Sequence, residues 1–196
     1  FAEYSSEIEA RIAELETMAK ADDDGLHPYW KNGMRADSAN SKFNFKFIGR
    51  VYNDYTFWGT DRDTEAVVGD ELNTGTEFRA ARLYFAGTIH GNVTFKAQFD
   101  FAGGDADFKD VWIGFPGTPI GDIKVGHHKA PMGFEQNTSS RFISTMERGL
   151  HNALVPGRET GLSVGNQFCT DGWLDLGVFL DANDFGNKAS MDRSSE

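Results

Sequence analysis

The chain has 196 residues, including 17 Phe, 22 Gly and a single Cys, and carries a formal net charge of −11. The acidic balance argues against a nucleic-acid partner, and one cysteine, Cys169, excludes a disulfide framework and a thiolate metal cluster. No run of about eighteen apolar residues occurs, which excludes a transmembrane helix, while the negative mean hydropathy is compatible with membrane strands whose second face is wet.

The chain starts at Phe1 with neither a Met nor a charged, apolar, cleavable leader, so it is expected to be a processed protein or a fragment. From Ser5 to Ala19, the residues Ile8, Ile12, Leu15 and Ala19 recur at alternating spacings of four and three among Glu7, Glu9, Arg11, Glu14 and Glu16. That spacing predicts a helix with a coiled-coil seam over residues 1–20. Because it spans only about two heptads, both an amphipathic helix packed on a barrel end and an oligomer zipper fit. Residues 21–41 hold Asp22-Asp23-Asp24-Gly25, Pro28 and Gly33, a composition of turns and linker.

From Phe43 onward the pattern changes to a period of two. Between Phe43 and Tyr55 the odd positions are mostly Phe, Val or Tyr, and the even ones carry Lys46, Arg50 and Asp54. Ala81, Leu83, Phe85 and Ile89 oppose Arg82, Tyr84, Ala86 and Thr88; after His90-Gly91-Asn92, Val93, Phe95, Ala97, Phe99 and Phe101 oppose Thr94, Lys96, Gln98 and Asp100. Soluble sandwich strands run to about five or six residues and tilted membrane strands to about nine to eleven, so these lengths favour the membrane. The fold class predicted is all-β, an antiparallel transmembrane β-barrel occupying residues 42–196 behind the amino-terminal helix.

Connections alternate in size. Gly59–Thr76 is long and polar, His90–Asn92 tight, Gly103–Asp107 intermediate, Pro116–Asp122 a turn, Ala130–Gly157 the longest and Cys169–Gly172 short. Outer-membrane barrels place short turns on the periplasmic side and long loops outside, which this order follows if the amino-terminal helix is periplasmic. In a pore, Ala130–Gly157 is a candidate constriction loop. A last strand is expected from Trp173 to Asp181, and Asn187–Glu196 reads as a polar loop. About seven strand candidates fall short of the eight in the smallest barrels, so a truncated sequence is expected.

The even-numbered face supplies the candidate pore-lining cations Lys46, Arg50, Arg82 and Lys96. Arg79 shares the parity of the apolar face and is expected at the rim, since charge facing lipid at mid-membrane costs about 2 to 4 kcal/mol. Arg141, Arg148 and Arg158 are candidates to line the constriction, with Glu135 and Glu147 either pairing with them or bracing the loop. Adjacent His127 and His128 point to opposite strand faces and cannot chelate together, and neither Asp61-Arg62-Asp63 nor Asp22-Asp23-Asp24-Gly25 continues into a calcium loop, so no metal or other cofactor is expected. Thr138-Ser139-Ser140 lacks a partnered base, which leaves no hydrolase site.

Gly33-Met34-Arg35 followed by Phe43-Asn44-Phe45-Lys46-Phe47-Ile48-Gly49-Arg50 resembles the opening of the phosphate-selective porin O and P family. Glu77 to Phe85, Lys96 to Phe101, and Met132-Gly133-Phe134-Glu135 through Thr138-Ser139-Ser140-Arg141 to Met146-Glu147-Arg148 extend the resemblance in order. It implies a bacterial outer-membrane barrel of about sixteen strands, set in lipid, trimeric, with a cationic lumen passing small anions. The chain departs at Ala80, where well-studied members carry the second of two adjacent arginines, and at Gln136, where they carry a lysine. The function expected is a passive channel for small anions such as phosphate or polyphosphate. Two alternatives stay open: a general or carbohydrate-conducting porin with Tyr52, Tyr84 and Trp112 as a slide, and an envelope structural or adhesive barrel anchored through Ser5–Ala19.

Overall fold

The computed structural model describes residues 2–21, 25–59, 63, 66–67, 74–170, 172–183 and 186. Asp22-Asp23-Asp24, Asp61-Arg62 and the tail 187–196 lie outside the described residues. Helix α1 (Ala2–Ala21) precedes nine strands: β1 (Leu26–Trp30), β2 (Met34–Ser38), β3 (Asn44–Thr56), β4 (Gly75–Ile89), β5 (Val93–Asp100), β6 (Asp107–Thr118), β7 (Gly121–Lys129), β8 (Arg158–Cys169) and β9 (Gly172–Leu180). They form a single antiparallel sheet in chain order, with β1 and β9 at its edges. Seven strands, β3 to β9, have eight to fifteen residues, the length a tilted membrane strand requires.

The pairing register turns the sequence alternation into two chemically different faces. One cross-strand row reads Phe45, Gly87, Phe95, Ile113, Val125, Leu162 and Val178 from β3 to β9. The next reads Lys46, Ala86, Lys96, Trp112, Gly126, Gly161 and Phe179. Side chains on adjacent rows point to opposite faces, so the first row belongs to an apolar surface and the second to a polar one.

Among the described residues no layer packs over the apolar surface. Ile113 is 51% exposed and Val178 76%, and among the described residues the only buried hydrophobic side chains are Ala80 and Ala130. The buried polar group is larger: Ser38, Gln98, Asp100, His127, His128 and Ser163. This inverts the usual distribution in a water-soluble domain, whose apolar residues fill the interior. A sheet with an apolar medium against one face and water against the other has this distribution.

Two strands fall in 21–41, the stretch whose composition reads as linker. Asn32 (φ 53°) and Gly33 (φ 122°) form the left-handed turn between β1 and β2, and a Cβ on Gly33 would lie 2.3 Å from Ile48 Cγ1. Pro28 is tolerated because β1 is an edge strand, where a missing N–H breaks no ladder. The stretch 130–157 is also more ordered than a plain loop: it contains a helical turn, α2 (Phe134–Asn137), and a 3-10 turn, Leu150–Leu154.

Candidate functional site

On the polar face, the register sets Arg50 of β3 opposite Arg82 of β4, and Arg82 opposite Asp100 of β5. Two cations side by side repel unless a carboxylate intervenes. Only Arg82 has one: its Nε donates to Asp100 Oδ2 at 2.5 Å, and Asp100 is held in turn by the Ala81 N–H at 2.9 Å. Arg50 has no counter-ion among the described residues. Its guanidinium lies 5.3 Å from the Tyr52 ring centroid, Nη1 reaches Tyr52 Oη at 3.4 Å, and its buried Nε finds no acceptor.

A second cluster neighbours the first. Asp110 of β6 accepts from Lys96 Nζ of β5 at 2.5 Å and from Arg158 Nε at 2.7 Å, so one carboxylate ties three strands together. Arg158, expected within the loop, is the first residue of β8.

The segment 130–157 folds back over this face and is fastened by its own polar groups. Asn137 Nδ2 donates to the carbonyls of Ala130, Met132 and Gly133 at 3.1, 3.0 and 3.2 Å, and Lys129 Nζ donates to the Gln136 carbonyl at 2.5 Å. Arg148 donates to the carbonyls of Glu135 at 3.0 Å and Thr138 at 2.9 Å. Glu135 accepts from the Gly149 N–H at 3.1 Å and lies 2.9 Å from His151 Nε2, while Glu147 lies 3.2 Å from Arg79 Nη1. Both glutamates therefore brace the loop, and among the described residues neither carboxylate pairs with Arg141, Arg148 or Arg158.

Between the loop and the sheet lies a cavity of about 420 Å³ lined by Arg50, Arg82, Lys96, Lys129, Arg141, Arg148 and Arg158, with Asp110 as its one carboxylate. With Arg82 offset by Asp100, six cations against one carboxylate still leave a positive chamber, suited to an anion that exchanges water for charge-assisted hydrogen bonds. Lys46 lies apart, in a neighbouring cavity of about 530 Å³ that it shares with Arg35 and Tyr29; Lys96 lines both cavities. Three aromatic rings on this face, those of the candidate slide, are covered by cations: Lys46 and Lys96 lie over Tyr84, Arg79 and Arg50 over Tyr52, and Lys124 over Trp112, at 5.1 to 5.6 Å.

Arg79 sits on the polar face, against the parity expectation. The β3–β4 register shifts between Tyr52 and Asn53, with Tyr52 opposite Ala80 and Asn53 opposite Phe78, so Arg79 is the extra residue of a bulge. It binds Asp54, the Met146 carbonyl and Glu147, and so latches the long loop to the sheet. Arg79→Ala should free the loop and raise single-channel conductance about two-fold while lowering ion selectivity, since charge-assisted bonds of about 1.5 to 3 kcal/mol each are lost; planar-bilayer recordings check this. Unchanged conductance would mean that Arg79 does not hold the loop.

Lys129 and Asp110 join these cavities without being singled out in the sequence, as does Arg35, quoted there only within the family resemblance. His127 and His128 face apart: His128 bonds the Gly126 carbonyl and Ser163 Oγ, each at 3.0 Å, whereas His127 Nδ1 lies 3.1 Å from Thr160 Oγ1.

The sequence profile of the family described as "Phosphate-selective porin O and P" matches residues 37–196. Porin O of Pseudomonas aeruginosa is 24% identical over 165 residues, covering 79% of this chain and 37% of that protein. The chain thus spans well under half the length of the curated relative it matches. Members of the matched family are outer-membrane porins of Gram-negative bacteria, channel proteins rather than enzymes. The two-faced sheet, the cationic chamber and a match over 37–196 agree: the chain belongs to the phosphate-selective porin O and P family.

Proposed function

We propose that the sheet is part of the wall of a closed transmembrane barrel of about sixteen strands, and that its polar face lines a water-filled channel for passive diffusion of small anions such as phosphate or polyphosphate. The observation that carries this reading is Arg50, a half-buried cation with no carboxylate among the described residues, set beside Arg82 and aimed into the chamber that Arg141 also lines. A structural side chain in that position would have been given a counter-ion, as Arg82 was given Asp100. An anion in transit supplies the missing charge and leaves again, because the cations are spread over several residues rather than gathered into one tight cage. The apolar rows meet lipid. The covered aromatic faces favour anions over the carbohydrate alternative, which needs open rings on which sugars can stack.

Phosphate added to a chloride-conducting channel tests this. In the full-length protein, phosphate should block chloride current, and Arg141→Ala should weaken that block about three- to tenfold, because one exposed charge-assisted contact is removed. Arg141 carries no ion-pair partner among the described residues, so its loss leaves the loop bonds intact. Identical block in wild type and Arg141→Ala, with Arg50→Ala also unchanged, would contradict the anion reading.

A further inference from the structure

Helix α1 stands apart from the architecture described above: among the described residues it makes no extensive packing interface with any strand. Its seam is nevertheless apolar and bare, with Ile8 45%, Ile12 49% and Leu15 53% exposed. Most helical stability in proteins comes from packing an apolar face against a partner, which a bare seam lacks. Written as heptads, Ile8 and Leu15 fall at d and Ile12 at a, which places Glu9 and Glu16 at e and Arg11 at g.

We propose that α1 assembles with the same helix of other copies of this chain in a parallel coiled coil. Charge selects both the partner and its direction. In a parallel coil each g residue meets the following e residue of its neighbour, so Arg11 meets Glu16. In an antiparallel pair e faces e, which would bring Glu9 and Glu16 against each other. Arg11 Nη1 now bonds Glu14 Oε2 at 2.5 Å within its own helix, both side chains being well exposed, so it is free to exchange that partner for Glu16 of a neighbour. A lipid surface is a poor alternative occupant. Membrane-surface helices carry Lys and Arg on the polar face, whereas the sequence of this one holds Glu3, Glu7, Glu9, Glu14 and Glu16 against only Arg11 and Lys20, a net negative charge that anionic headgroups repel. The proposal is independent of the channel's selectivity.

Cysteine cross-linking in the full-length protein, in its membrane and in a Cys169→Ser background, tests it. Residues at d meet their own counterparts across a parallel seam, while Ala10, at f, faces outward. Mild oxidation should link copies through Ile8→Cys and through Leu15→Cys, but not through Ala10→Cys. Adding Arg11→Glu to Leu15→Cys should lower the linked fraction about two- to threefold, and further adding Glu16→Arg should restore it. Conductance of the same preparations reports that the channel has folded. Equal linking at Ala10→Cys, no linking at Ile8→Cys and Leu15→Cys, or no response to Arg11→Glu would each overturn the proposal.

Discussion

Arg50→Glu should lower the anion-over-cation permeability ratio on the order of tenfold. The wild-type guanidinium has no carboxylate to cancel it among the described residues, so its full charge acts on the chamber. A glutamate there replaces that positive charge with a negative one beside Arg82, whose own charge Asp100 already offsets, so the chamber's charge falls by two. At an effective dielectric near 20 a charge about 8 Å away is worth about 2 kcal/mol, and water in the lumen reduces this further, which sets the expected order of magnitude. Arg82→Glu should act more weakly, because Asp100 already offsets Arg82 at 2.5 Å. Arg50→Met separates function from fold. It removes a buried donor without an acceptor and one of two adjacent cations, so stability should be equal or higher by about 1 kcal/mol while anion preference falls. Reversal potentials of the three variants measure the ranking, and equal effects at Arg50 and Arg82 would refute the assignment of Arg50 as the uncompensated charge.

Asp110→Asn should be the most damaging single change to stability on this face, costing about 2 to 4 kcal/mol. Its carboxylate joins Lys96 to Arg158, and the three side chains are only 14%, 26% and 18% exposed, respectively. Without it two mostly buried cations face each other, with Lys129 lining the same cavity. Urea unfolding of the full-length protein followed by gel mobility measures the loss. Removing Arg158 as well, by Arg158→Gln, should return part of it, since coupled residues give non-additive costs. The surviving Asp110→Asn channels should favour anions more strongly than wild type. A midpoint unchanged from wild type would mean that the Asp110 clamp contributes nothing to the fold.

Much of the sheet is readable from alternation alone, because one face must meet lipid and the other water, and any slip of one residue exchanges the faces. Phe43 to Tyr55 reads as a strand, and β3 runs Asn44–Thr56; Val93 to Phe101 reads as the next but one, and β5 runs Val93–Asp100. The β1–β2 hairpin lies in a stretch that reads as linker, because five-residue strands are too short to show a period and Pro28 argues against a strand except at an edge. The Asn32-Gly33 pair carried the usable signal, as this dipeptide suits a tight hairpin turn.

Within the site, Arg50, Arg82 and Lys96 share parity and line one chamber. Arg79 does not follow parity because parity assumes an unbroken ladder, and the register shift at Tyr52/Asn53 adds one residue on the β4 side. The same limit hid Asp110: the β5–β6 register slips between Ala97 and Phe99, so counting from Phe108 does not predict its face. Lys129 and Arg158 sit at the ends of β7 and β8, on either side of the long loop, where neither loop nor strand rules assign a direction. Which loop residues reach back over the sheet depends on hydrogen bonds such as those of Asn137 and Arg148 to distant carbonyls, and no local pattern encodes these.

The reversal potential of the full-length protein in a planar bilayer, under a salt gradient and followed by phosphate addition, is the most direct test of the cationic chamber as a selectivity device. An anion-selective potential, with chloride current falling as phosphate is added, is the predicted result; a potential near zero or cation-selective, with no block by phosphate, would contradict it.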